Sequence, residues 1–416
     1  MKKRVFFLGL SALFFLNSCR KSDDDTVGDR ITYSEQVPML AWIGVPQGAD
    51  AKQYQWLREA GFNYQLLSGY GSLQTVEDAL AKSAAVGVKC LVACPEMNTD
   101  TEMAIKRLRD HPALAGYTTI DEPKMKDLDW VASLMKKYQS FDKKGISYVN
   151  LLSLDTSEKV MGASFDAYFK KATSALPLQM LSCTFYPIVL RDGEVERRVN
   201  GLWYENLEVY SRRAKELKVP LWAFVLSASF RHTGGGGAYP DPTVADLRLQ
   251  IYTNLAYGVQ LLQYYTYSTP ADAPHYTAPI KADGSKSASY ERIKQVNQEV
   301  IALSGVFVGA QVVDVWHTGK TLPKGTKALK VPKPFKGITT GDGGAVVSHL
   351  RNGGRNYLMI VNHSCTKGLS VRIEASAGVK EVSKEARLKE VDWSEARRYE
   401  IGAGDMELFE WEGIND

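Results

Sequence analysis

The stretch Gly116-Tyr117-Thr118-Thr119-Ile120-Asp121-Glu122-Pro123 ends a β-branched run in two adjacent carboxylates and a proline. β-Branched residues favour an extended strand, and proline cannot continue its hydrogen-bonded ladder. Asp121 and Glu122 are therefore expected at the C-terminal end of a strand. Breaking a glycosidic bond takes one carboxylic acid to protonate the departing oxygen and a second group to stabilise or attack the anomeric carbon. An anion beside Glu122 would raise its pKa and help keep it protonated. The same string would also serve at a capped helix N-terminus, where acidic residues meet the positive end of the macrodipole.

A strand that delivers such a pair needs a scaffold. From residue 38 onward, short apolar runs alternate with amphipathic stretches, as in repeated βα units. Eight runs are candidate strands: 39–45, 64–67, 88–93, 115–120, 147–152, 180–185, 221–226 and 259–265. Eight is the count that closes a parallel barrel, and near-continuous apolar runs suit strands covered on both faces. Apolar stripes at helical spacing lie between them, such as Val244, Leu247, Ile251 and Leu255, with Asp50 and Thr243 placed as N-caps. Two long connections, 188–203 and 227–242, fall on the βα side of the barrel where sites are assembled. The second carries four consecutive glycines, 234–237, equally suited to a lid or a slack surface loop. After residue 304 the pattern turns to period-two runs with a hairpin signal at Arg351-Asn352-Gly353-Gly354-Arg355, which fits an antiparallel sandwich of about 110 residues. The expected fold is a (β/α)8 TIM barrel over 37–304 followed by a C-terminal β-sandwich over 305–416.

On these residues the strand-four segment resembles the Asn-Glu-Pro of clan A glycoside hydrolases, with Asp121 in place of the asparagine. Leu247-Arg248-Leu249-Gln250-Ile251-Tyr252, then Asn254-Leu255-Ala256-Tyr257-Gly258 and Gln263-Tyr264-Tyr265-Thr266-Tyr267, is similar to the last helix and strand of family 42 and β-galactosidase-like barrels. The resemblance implies a glycosidase with Glu122 as acid/base. It also implies a nucleophilic glutamate at the end of strand seven, where this chain reads Trp222-Ala223-Phe224-Val225-Leu226-Ser227-Ala228-Ser229. Four alternatives follow. Glu96 supplies the second carboxylate; Asp121 assists by orienting a substrate acetamido group; an acid on a long loop, Asp192 or Glu194, takes the role; or the protein binds a glycan without hydrolysing it.

Sugar rings pack their C–H faces on aromatic rings. Trp42, Tyr186, Trp222, Tyr239, Tyr264 and Tyr267 are the candidate substrate-binding aromatics, and Tyr70 also falls at a strand end. His232 is a candidate polar contact, and His275 lies on a second loop. Each aromatic alone is more often core than platform, and a lone loop histidine is usually solvated.

The N-terminus sets the compartment. Met1-Lys2-Lys3-Arg4 precedes an apolar run over 5–16 that is short for a membrane span, and Leu16-Asn17-Ser18-Cys19 follows. Residues 1–19 read as a lipoprotein signal peptide with Cys19 acylated, and an ordinary secretory signal is the alternative. Residues 20–36, polar and carrying Asp23-Asp24-Asp25, read as a tether. The expected location is the cell envelope, lipid-anchored at the outer membrane. A net charge of +4 without a concentrated basic stripe argues against nucleic acid as a partner. Cys90, Cys94, Cys183 and Cys365 lack metal-ligand spacing and read as buried small apolar residues. A carbohydrate and, through the anchor, a membrane are the expected partners; no cofactor or metal is expected.

Overall fold

The computed structural model of the chain describes residues 30–190, 195–231, 238–270, 272–273 and 276–413. Cys19, Asp192, Glu194, His232, the 234–237 glycines and His275 lie outside the described residues.

Eight parallel strands form one sheet: β1 (Met39–Ala41), β2 (Tyr64–Leu67), β3 (Lys89–Val92), β4 (Leu114–Asp121), β5 (Ile146–Asn150), β6 (Leu181–Cys183), β7 (Leu221–Leu226) and β8 (Val259–Tyr265). Their spatial order is β5-β4-β3-β2-β1-β8-β7-β6. The two ends meet where the Leu151 N–H donates to the Ser182 carbonyl at 2.9 Å, beside a parallel bridge from Leu151 to Cys183. The sheet thus closes into a barrel. Leu40, Leu66, Leu91, Tyr148, Met180, Trp222 and Leu261 fill its interior toward the N-terminal ends of the strands. A helix follows each strand: α1 (Ala51–Glu59), α2 (Leu73–Ala85), α3 (Thr101–Leu108), α4 (Leu128–Phe141), α5 (Phe165–Ala175), α6 (Leu202–Leu217), α7 (Val244–Ala256) and α8 (Ala288–Ala302). Asp50 caps α1 through the Gln53 N–H, and Thr243 and Asp246 form a capping box on α7.

The C-terminal part packs two antiparallel sheets over a common core. The larger contains β9 (Gln311–His317), β11 (Ala345–Asn352), β12 (Arg355–Asn362), β17 (Met406–Glu412), β14 (Lys380–Val382) and β15 (Leu388–Glu390), in that spatial order. The smaller pairs β10 (Phe335–Thr339), β13 (Leu369–Ala375) and β16 (Arg397–Ile401). Gly353 and Gly354, both at positive φ, make the two-residue turn between β11 and β12.

Helix α7 lies between barrel and sandwich, and this explains its composition. From Asp246 to Ala256 only Arg248 escapes full burial, so the helix is covered nearly all round, and its buried polar residues Asp246, Gln250 and Asn254 are hydrogen-bonded. The exception is bound on two sides: the Arg248 guanidinium reaches Glu299 of α8 at 2.5 Å and Asp405 of the sandwich at 3.0 Å. Removing Arg248 would leave Glu299 with only the Tyr252 hydroxyl and Asp405 with only Lys384, which is costlier than never having made the bridge. Nearby, Tyr257 hydrogen-bonds His317 Nε2 at 2.7 Å, and His317 Nδ1 lies 3.0 Å from His363 Nε2. Burial pushes His317 down to about 3 and His363 to about 4, so both are neutral.

Candidate active site

A cavity of about 450 Å³ opens at the C-terminal ends of the barrel strands. Its acidic side comes from β4 and β5. In a regular strand, adjacent residues point to opposite faces. Two local features bring Asp121 and Glu122 to the same cavity. The register of β4 against β5 slips between Thr118 and Asp121, a bulge of the kind that re-aims side chains. Glu122 then adopts φ 49°, the left-handed region, while its N–H donates to the Asn150 carbonyl at 3.0 Å. The approach of the two strands is itself set by Gly116: a Cβ there would lie 2.1 Å from the Ile146 carbonyl oxygen.

Asp155 is a third carboxyl lining the cavity, on the connection after β5. It accepts from Ser153 Oγ at 2.5 Å. Nothing in the local string Ser153-Leu154-Asp155-Thr156 marks it, and sequence reasoning passed over it. Position just beyond a barrel strand was the one available signal.

All three carboxyls sit above their ordinary ranges. Desolvation is the largest cause for each. For Glu122, Asp121 is the next cause and Asp155 a smaller one, while a hydrogen bond from Thr184 works the other way. For Asp121, a hydrogen bond from Asn150 offsets part of the rise. Asp121 and Asp155 are open to the cleft at their tips, so the cavity walls supply this desolvation.

The remaining wall is aromatic. Trp42 after β1, Phe224 of β7 and Tyr265 of β8 form one cluster, with the Trp42 ring 5.7 Å from Phe224 and 6.2 Å from Tyr265. Tyr186 stacks on Tyr265 at 5.6 Å, and Tyr239 meets Tyr186 edge-on. Phe230 and Tyr276 stack almost parallel at 4.4 Å on the outer rim. Such a box offers flat apolar faces opposite an acidic edge.

Of the residues singled out from sequence, Asp121, Glu122, Trp42, Tyr186 and Tyr239 line this cavity. Five others lie elsewhere, and Tyr70 is one of them, its buried hydroxyl donating to the Val45 carbonyl at 2.9 Å. Trp222 is the second residue of β7, so it sits low in the barrel, stacked on Tyr148 at 5.8 Å. Tyr264 follows the inward-facing Gln263 and so points outward by strand alternation; its hydroxyl donates to Asn297 of α8 at 2.5 Å. Tyr267 is buried edge-on against Phe62. Glu96 begins a short helix after β3, where the Leu73 N–H and the Cys94 thiol hold its carboxylate below the usual range. Tyr265, one residue from Tyr264, is the cavity residue that strand parity would have selected.

Among the described residues no group of His, Cys, Asp and Glu could hold a metal ion. Cys90, Cys94, Cys183 and Cys365 are buried thiols. A larger cavity, about 690 Å³, is a separate groove between α6 and β9, lined by Lys215, Lys218 and Asp314. It carries none of the carboxyl pair.

No family model matches the chain, and no curated protein matches it in sequence. Solved structures do match. A β-galactosidase from the psychrophilic Marinomonas ef1 is similar over 64% of this chain and 60% of its own, with 11% identity and a TM-score of 0.46. An α-amylase from Anoxybacillus is similar over 92% of this chain and 98% of its own, with 11% identity and a TM-score of 0.49. A β-L-arabinopyranosidase from Geobacillus stearothermophilus, solved with arabinose, is similar over 92% and 98%, with 10% identity and a TM-score of 0.48. By its own topology this chain is a (β/α)8 barrel with an antiparallel sandwich at its C-terminal end.

Proposed function

We propose that this protein is a glycoside hydrolase acting on an oligo- or polysaccharide at the cell envelope, with Glu122 as general acid/base. One observation carries the reading: a carboxyl with a raised pKa, held in a left-handed backbone conformation, faces an aromatic-walled cavity at the catalytic end of a barrel. Glu122 protonates the glycosidic oxygen. Asp121 or Asp155 stabilises the cationic anomeric centre, orients a substrate amide or activates water. The three carboxyls all come from the β4–β5 side and none from β7. This favours an inverting or substrate-assisted course over double displacement by a strand-seven glutamate. Export rests on the 1–19 signal and Cys19.

Digestion of a glycan panel tests the assignment. Wild type is expected to release product from at least one glycan, and Glu122→Gln to lose about 10²- to 10⁴-fold in turnover while still binding it. Unchanged turnover in Glu122→Gln removes Glu122 from the mechanism.

The missing strand-seven acid also supports a second reading, a non-catalytic glycan-binding lipoprotein. Tight binding with no product after long incubation would select it.

A further inference from the structure

Beneath the cavity, a hydrogen-bonded chain crosses the barrel interior. The Trp42 indole Nε1–H donates to the Tyr148 hydroxyl at 3.2 Å. Tyr148 donates to Gln263 Oε1 at 2.6 Å, and Gln263 Nε2 donates to Ser182 Oγ at 2.8 Å. Ser182 donates to Asn150 Oδ1 at 2.8 Å. The Asn150 Nδ2 group then splits, donating to Asp121 Oδ1 at 3.0 Å and to Thr184 Oγ1 at 2.7 Å. Thr184, having accepted from Asn150, lies beside Glu122 and lowers its pKa by less than burial and Asp121 raise it. Tyr148, Asn150, Ser182 and Gln263 are all fully buried, so no water can substitute for a lost partner.

The direction of this chain is fixed from its far end. Indole N–H can only donate, so the Tyr148 oxygen accepts there and passes its own proton on. Reversing the amide of Gln263 or Asn150 would place two donors or two acceptors face to face. Every link therefore points toward the acidic pair, and the chain ends on Asp121. Asp121 takes an amide N–H directly, which favours a carboxylate. Glu122 has the weaker influence of the Thr184 hydroxyl beside it and lines the cavity, where its proton is needed.

We propose that this buried chain decides which of the two adjacent carboxyls is the acid: Asp121 is held as the anion, and Glu122 keeps the proton and presents it to the cavity. Ser182, Gln263 and Asn150 are then positioning residues that touch no substrate. The inference rests on the acid/base reading of Glu122. The other ionisable groups facing the pair are Asp155 after β5, Tyr168 of α5, Cys183 of β6, Tyr186, Tyr210 of α6 and Tyr265 of β8. Burial raises the pKa of each of these tyrosines and of the thiol, so among the described residues Asp155 is the further charge in play.

Carbon-13 titration of labelled Asp and Glu carboxyls tests this without any substrate, with Asp121→Asn and Glu122→Gln assigning the signals. In wild type Asp121 should titrate below Glu122. Ser182→Ala, which interrupts the chain two links away, should narrow that gap by about one pH unit, the equivalent of one hydrogen bond. Thr184→Val, isosteric and outside the chain's trunk, serves where Ser182→Ala does not fold; it should raise Glu122 while leaving Asp121 below it. A reversed order in wild type, or a gap unmoved in a folded Ser182→Ala or Thr184→Val, overturns the proposal. Absence of glycan turnover would instead count against the glycosidase reading and leave the order of titration standing.

Discussion

The side-chain amide of Asn150 donates to Asp121 Oδ1 at 3.0 Å, while the backbone carbonyl of the same residue accepts the N–H of Glu122. One residue of β5 thus grips both members of the acidic pair, one through its side chain and the other through its main chain. Displacing Asn150 would disturb the position of each carboxyl together.

The alkaline limb of a pH–rate profile should report Glu122. A raised pKa means the acid form survives to higher pH, and activity falls as pH climbs through it. Asp121→Asn removes the larger of the two neighbouring charges and should move that limb to lower pH. Asp155→Asn should move it the same way by less. Equal shifts, or movement to higher pH, would contradict the order of influence described above.

Trp42 and Trp222 should separate binding from folding. Trp42→Ala opens the aromatic box and is expected to weaken glycan binding about 3- to 10-fold. Trp222→Ala empties the barrel interior at a cost of about 3–5 kcal/mol, with little change in affinity per folded molecule. Calorimetric titration paired with urea unfolding distinguishes the two.

His317 and His363 should make the barrel–sandwich interface sensitive to acid. Both are neutral in the fold, whereas the unfolded chain protonates them near 6.5. Their contribution is complete above that value. It is lost as pH falls, at up to about 1.4 kcal/mol per pH unit for each, until the folded values of about 3 and 4 are reached. The raised carboxyls, Glu407 at about 7 among them, act in the opposite sense, since the fold binds their protons more tightly. Comparing unfolding of wild type and His317→Gln between pH 4.5 and 7.5 isolates the histidine part, and the variant should show the flatter acid limb.

Cys19→Ser should shift the protein from the membrane to the soluble fraction and abolish incorporation of labelled palmitate. Retention of either property in the variant would point to another means of attachment.

Much of the scaffold was legible because its cause is local. The eight apolar runs, the caps at Asp50 and Thr243 and the Asn352-Gly353-Gly354-Arg355 turn each follow from residue type over a few positions. Asp121 and Glu122 were legible for the same reason. The rest of the cavity depends on registers that local patterns do not hold. Trp222 and Tyr264 differ from Phe224 and Tyr265 only in where they fall along a strand, and a shift of one or two residues exchanges cavity for core. Asp155 carries no motif and gains its meaning from the closure of β5 against β6. The Trp42-to-Asn150 chain joins residues more than a hundred positions apart, so no window of sequence contains it.

The left-handed backbone of Glu122 has a consequence for stability as well as for chemistry. An L-residue with a side chain costs roughly 1–2 kcal/mol there, and glycine removes that cost. A protein with no use for this side chain would gain stability from glycine at this position, so the glutamate carries a backbone cost that its side chain has to offset.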